Sequence, residues 1–155
     1  MFKKILIPID GSPLAKQAAQ AGIDFAKSID ASVVIVNVLP PFSETFAYDS
    51  LASGYSFTID DVNKAMQEEA EKAVKPIIDH AIASGAKVDS HSGVVSHHNV
   101  AEGIVETADA LDCDLIFIGS HGRSGISRLL LGSVTAKVLP LATTAVLVHR
   151  AEQEK

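Results

Sequence analysis

A chain of 155 residues with 47% hydrophobic content is long and apolar enough for one domain with a real core, which excludes a disordered chain. Its formal net charge of −6, pI near 5.4, 5% aromatics and lack of Trp exclude a global basic field for DNA or anionic membranes and leave few stacking platforms for single-stranded nucleic acid. The one cysteine, Cys113, has no internal disulfide partner, and no apolar run approaches the ~18 residues of a membrane span, so a soluble, cytoplasmic protein is expected.

In chain order, Lys4–Ile9 is a short apolar run that predicts a buried strand; Pro8 forfeits a ladder bond, so the strand ends there or its N–H position faces a gap. Asp10-Gly11 turns the chain, Ser12 is a helix N-cap, and Pro13 suits the first helical position. Leu14, Ala18, Ala21, Phe25 and Ile29 then recur at helical spacing. Val33–Val38 is continuous and β-branched, the pattern of a strand covered on both faces. Pro40–Phe57 has no period and is long for a connection. Thr58 or Asp60 caps a long helix to about Ser84, with Pro76 predicting a kink or division and Gly85 a C-cap. Lys87–Val95 predicts a third strand, polar enough for a sheet edge. Asn99-Val-Ala-Glu102 has capping-box character and opens a third helix. Leu115–Ile118 is a fourth strand, Val134–Leu139 the start of a fourth helix and Thr144–His149 a fifth strand. Residues 1–150 read as one domain and 151–155 as a tail.

Strands alternating with helices predict a mainly parallel sheet with helices on both faces and right-handed crossovers. Ligands bind such sheets beyond the carboxyl ends of the strands, which selects Pro8-Ile9-Asp10, Val38-Leu39-Pro40 and the stretch from Gly119 onward. If the first and fourth strands are neighbours, Asp10 and the glycine loop share one crevice. Gly119 and Gly122 permit a tight exit and close ligand approach, and Gly132, Ser133, Val134 and Thr135 place N–H groups at a helix start suited to phosphate. A carboxylate at Asp10 repels phosphate, so it suits a ribose hydroxyl or, through water, a divalent metal. Val38 suits an adenine ring, and Arg123 and Arg128 could offset phosphate charge. Singly, each of these has an ordinary structural reading, as turn glycine, N-cap, turn carboxylate or solvated charge. Their convergence on the strand ends is what points to a site.

The run Gly119-x2-Gly122-x9-Gly132-Ser133, following Asp114-Leu-Ile-Phe-Ile118, closely resembles the ATP-binding signature of the universal stress protein family. The opening Ile5-Leu-Ile-Pro-Ile-Asp-Gly-Ser12 and the closing Ala145-Val-Leu-Val148 are similar to that family as well. The resemblance covers essentially the whole chain. It implies an α/β three-layer sandwich of the adenine-nucleotide alpha-hydrolase-like type, with a five-stranded parallel sheet in the order 3-2-1-4-5. It implies ATP, or ADP or AMP, with Mg or Mn held mainly by the phosphates. By position, Pro8, Ile9 and Val38 would meet the base, and Asp10 the ribose or adenine. Gly119, Ser120, His121, Gly122, Arg123, Gly132, Ser133, Val134 and Thr135 would hold ribose and phosphates. A homodimer through the last strand, Ala145, Val146, Leu147 and Val148, is implied too. The family commonly has a proline-containing pair before that strand; Thr143-Thr144-Ala145 stands here, so the strand could begin earlier.

His91, His97, His98 and His121 match no standard zinc spacing, so no metal site is expected. No Gly-x-Ser-x-Gly elbow is present and no catalytic residue is assigned. The expected function is regulatory: ATP binding that alters a surface read by a protein partner the sequence does not name. The competing reading is a slow ATPase or a nucleotidyl-transferring enzyme on the same sheet.

Overall fold

The computed structural model describes residues 1–41, 58–120 and 131–150. In chain order the elements are β1 (Lys4–Pro8), α1 (Pro13–Ser28), β2 (Ser32–Leu39), α2 (Ile59–Ala83), β3 (Lys87–Val88), β4 (Gly93–Ser96), α3 (Val100–Ala110), β5 (Leu115–Gly119), α4 (Ser133–Leu141) and β6 (Ala145–His149). The sheet order is β3-β2-β1-β5-β6, with β4 also beside β2, and every pairing is parallel. This is the expected α/β sandwich and order, with the predicted third strand in two pieces.

The strands are continuous apolar runs because both faces are covered. Ile5, Ile7, Val33, Ile35, Leu115 and Phe117 pack toward α1 and α2. Leu6, Val34, Val36, Val38, Ile116 and Ile118 pack toward α3 and α4. Period two thus divides each strand between two cores. On α1 the buried stripe is Ala15, Ala18, Ala19, Gly22, Ile23 and Ala26. The face expected around Leu14, Ala21 and Phe25 is rotated: these three are half-buried at its margin. Small residues win the centre because the helix lies close to the sheet; a Cβ on Gly22 would stand 2.9 Å from Phe117 Cδ1.

Capping follows the local signals. Ser12 Oγ accepts from Ala15 N (3.1 Å), and Thr58 and Asp61 form a reciprocal capping box. The long helix α2 runs through Pro76 without division. It ends at Ser84, with Gly85 following at φ +83. Asn99 caps α3, but Glu102 meets its side-chain amide (3.0 Å) rather than its backbone N–H, which faces His97 Nδ1 (3.1 Å). Thr144 lies outside β6, its hydroxyl donating instead to the Cys113 carbonyl (2.9 Å).

The break in the expected strand 87–95 combines a local turn with a long-range bond. Asp89 Oδ1 accepts the backbone N–H of His91 (2.9 Å), which turns the chain. In the register, Val33 faces Val88 and Val36 faces Gly93, so Val34 and Ile35 lie opposite the longer segment Asp89–Ser92. Ser92 Oγ takes the N–H of Ile35 (3.0 Å) in place of a backbone partner.

The backbone N–H of His91 first, then the His91 side chain and Lys4, draw the Asp89 carboxyl down to about 2. A carboxyl depressed in the folded state stabilises fully above its unfolded value near 3.8, and that contribution is lost as pH falls through about 2. Asp89→Asn is therefore expected to lower stability by about 1–2 kcal/mol at pH 7, with the difference shrinking to nothing near pH 2. Urea unfolding across pH checks this; a pH-independent difference contradicts it.

Candidate functional site

The strand order places β1 between β2 and β5, and this decides where a ligand can sit. The chain leaving β1 enters α1 on one face, whereas the chain leaving β5 reaches α4 on the other. The two connections diverge and open a crevice at the carboxyl ends of β1 and β5. A cavity of about 370 Å³ occupies it, inside the ~300–1,000 Å³ range of small-ligand sites.

The cavity is mostly apolar. Pro8 and Ile9 come from the end of β1, Val38, Leu39 and Pro40 from the end of β2, and Ile118 from β5. Met66 of α2 and Val100 and Ile104 of α3 complete the walls. Among the described lining residues Asp10 is the one ionisable group. Its Oδ1 accepts the N–H of Ser12 (2.9 Å), across a turn that Gly11 makes at φ +79, a conformation open to glycine at no steric cost.

The opposite wall is Gly119, Gly132, Ser133, Val134 and Thr135. Its frame is built from short hydrogen bonds. Ser120 N donates to His149 O (2.7 Å), Gly132 N donates to Ser120 O (2.7 Å), and the Thr135 hydroxyl donates to Gly119 O (2.8 Å). The end of β5 and the start of α4 are thereby clasped together on either side of residues 121–130. Gly132 gives α4 no side-chain cap, whereas Ser12, Thr58 and Asn99 cap the other three described helices. The first turn of α4 thus brings Ser133, Val134 and Thr135 to the cavity wall, and a helix start carries N–H groups without intrahelical partners and the positive end of the dipole.

Of the residues singled out from the sequence, Pro8, Ile9, Asp10, Val38, Gly119, Gly132, Ser133, Val134 and Thr135 meet at this one cavity. Ser120 is buried behind its wall. His121, Gly122, Arg123 and Arg128 lie outside the described residues. Besides Ile118 of β5, the sequence reading missed Ala15, Asn37, Met66, Val100 and Ile104. Asn37 left a signal, a buried amide inside the otherwise apolar β2. The others are helix residues indistinguishable in sequence from core.

A family model for the universal stress protein family matches residues 1–150. The chain belongs to the universal stress protein family. A universal stress protein of Methanocaldococcus jannaschii is 33% identical, over 96% of this chain and 82% of its own. The solved structure of the protein MJ0577 superposes with a TM-score of 0.78 at 27% identity, covering 99% of both chains. Two more distant members share the fold. A universal stress protein solved in complex with cAMP has a TM-score of 0.64 at 23% identity, covering 96% of this chain and 97% of its own. One from Archaeoglobus fulgidus, in complex with dAMP, has a TM-score of 0.63 at 18% identity with the same coverage. No helix among the described residues is long and apolar enough to cross a membrane.

The clasp makes a prediction independent of any ligand. Thr135 is 3% exposed, so Thr135→Val leaves the Gly119 carbonyl without its hydroxyl donor and is expected to cost about 1–2 kcal/mol, while Thr135→Ser retains most of that stability. Denaturant unfolding of the pair decides; equal stability of the two variants refutes the role given to this bond.

Proposed function

We propose that this universal stress protein binds an adenine nucleotide, ATP foremost, and acts as a regulatory module rather than as a fast catalyst. The observation that carries the proposal is the uncapped first turn of α4 opening on an apolar cavity that holds a single described carboxylate. The Ser133, Val134 and Thr135 N–H groups suit phosphate oxygens. Val38 with Pro8 and Ile9 offers the apolar surface an adenine needs. Asp10 suits a ribose hydroxyl, since next to a phosphate its charge would repel. Complexes of same-fold family members with cAMP and dAMP support this choice of ligand class. With Asp10 the one described carboxylate at the cavity, a Mg or Mn ion accompanying ATP would be held mainly by the phosphates. Nucleotide bound more tightly by one arrangement of this wall than by another would shift the population of a surface that a protein partner reads.

Ser133→Asp separates the phosphate role from a structural one. A carboxylate in the first turn complements the helix dipole, so folding stability is expected to hold or rise by about 0.3–1 kcal/mol. The same charge repels phosphate, so ATP affinity is expected to fall more than about tenfold by isothermal titration. Undiminished ATP binding by this variant, or no ATP binding by the wild type, would sink the proposal.

We further infer a homodimer through β6. This strand ends the sheet order, its Val146, Leu147 and Val148 are only half-buried, and Leu139 and Leu141 beside it are 40% and 46% exposed. Sedimentation equilibrium is expected to return twice the 16.3 kDa chain mass, and a monomer at all accessible concentrations contradicts the inference.

A further inference from the structure

At the junction of β4 and α3, on the outer side of the helix whose Val100 and Ile104 line the cavity, the structure gathers metal-ligating groups that no reading above uses. His97 Nε2 lies 3.2 Å from Glu106 Oε2, and His98 Nε2 lies 3.3 Å from Glu102 Oε2. One ligand atom from each of His97, His98 and Glu102 falls within 4.8 Å of the others. We propose that His97, His98 and Glu102 form a binding site for a divalent first-row transition ion of the zinc type, with water completing the coordination and Glu106 beside His97.

The geometry suits that ion. Tetrahedral zinc with ligands at about 2.0–2.1 Å sets neighbouring ligand atoms about 3.3 Å apart, close to both His–Glu separations here. Ordinary ion pairs share those distances, but two isolated pairs have no reason to converge. Here His97, His98 and Glu102 each bring one ligand atom within 4.8 Å of the other two, and Glu102 and Glu106 rise from one helix at positions four apart, which face the same side. Glu102 and the neighbouring Glu106 supply negative charge for a divalent ion, and the two imidazole nitrogens favour zinc, nickel or copper over magnesium or calcium.

The ligands are held in place. His97 is only 15% exposed on its side chain. It fits because Gly103 has no Cβ: one built there would stand 2.6 Å from His97 Cβ and 2.7 Å from Val38 Cγ1. His97 Nδ1 sits against the Asn99 backbone, 2.7 Å from its carbonyl and 3.1 Å from its N–H; in the tautomer with Nε2 on metal, Nδ1 donates to the carbonyl, the outer bond that orients histidine ligands. Glu102 Oε1 is tied to Asn99 Nδ2 at 3.0 Å, which leaves Oε2 toward His98. His91, by contrast, pairs with Asp89 at 2.8 Å and belongs to a different turn.

Isothermal titration of the nucleotide-free full chain with Zn²⁺ tests the site, with Mg²⁺ as the hard-cation control. One Zn²⁺ per chain is expected, with His98→Gln and Glu102→Gln each weakening binding by about tenfold or more and His91→Gln leaving it unchanged. His98 is exposed, so its variant is expected to fold as the wild type does, which far-UV circular dichroism checks. Absence of saturable zinc binding overturns the proposal. So does wild-type affinity in the His98→Gln, Glu102→Gln double variant, or an equal loss in His91→Gln.

Discussion

Everything distinctive about this molecule depends on β1 being paired on both sides. It takes β2 along Lys4 to Pro8 and β5 along Ile5 and Leu6, both parallel. Parallel neighbours need crossover helices, and the helices reached from β1 and β5 lie on opposite faces of the sheet. The crevice at their carboxyl ends follows from this divergence. Ile5, Leu6 and Ile7 are essentially inaccessible to solvent and tie the two cores through one strand. The cavity opens directly beyond this buried segment, at Pro8, Ile9 and Asp10.

The cavity wall at α4 differs from every other described helix start. Three helices satisfy their first turn with their own Ser, Thr or Asn side chains. At α4, Gly132 provides none, and the backbone is held instead by bonds that fasten it to Ser120 and Gly119. Polar capacity is left for a ligand, while the position of the helix is secured from behind. Fixed donors of this kind lose little freedom when an anion arrives, which is the physical basis of preorganised anion sites. Apolar walls opposite and one described carboxylate between make the cavity amphipathic along its length.

The glycine spacing, the caps at Ser12, Thr58 and Asn99, and the apolar strands were legible because each is a short-range property. A cap needs a side chain two or three residues from its N–H, and a buried strand needs only consecutive apolar residues. Longer-range features were not. Continuous apolar runs carry no alternation, so nothing in Val33–Val38 indicates that Val38 faces α3 while Ile35 faces α1 and α2. Met66, Val100 and Ile104 read as helix core, and the turn at Asp89–Ser92 rests on a hydroxyl, Ser92, whose partner Ile35 is distant in sequence. His97 and His98 match no standard zinc spacing with the other histidines, and the carboxylates they meet, Glu106 and Glu102, lie on the helix that follows.

The amino-acid sequence by itself determined the alternation of strands and helices, the helix starts and the glycine-rich stretch that marks the family, since those depend on neighbours within a turn or two. Only the tertiary structure decided which strand ends become walls of one cavity and which half-buried histidine meets which carboxylate. It also decided where the third strand breaks. Those outcomes rest on contacts between residues far apart in the chain, and packing chooses among them by the fit of whole faces, such as α1 drawn onto the sheet through Ala15, Ala19 and Gly22.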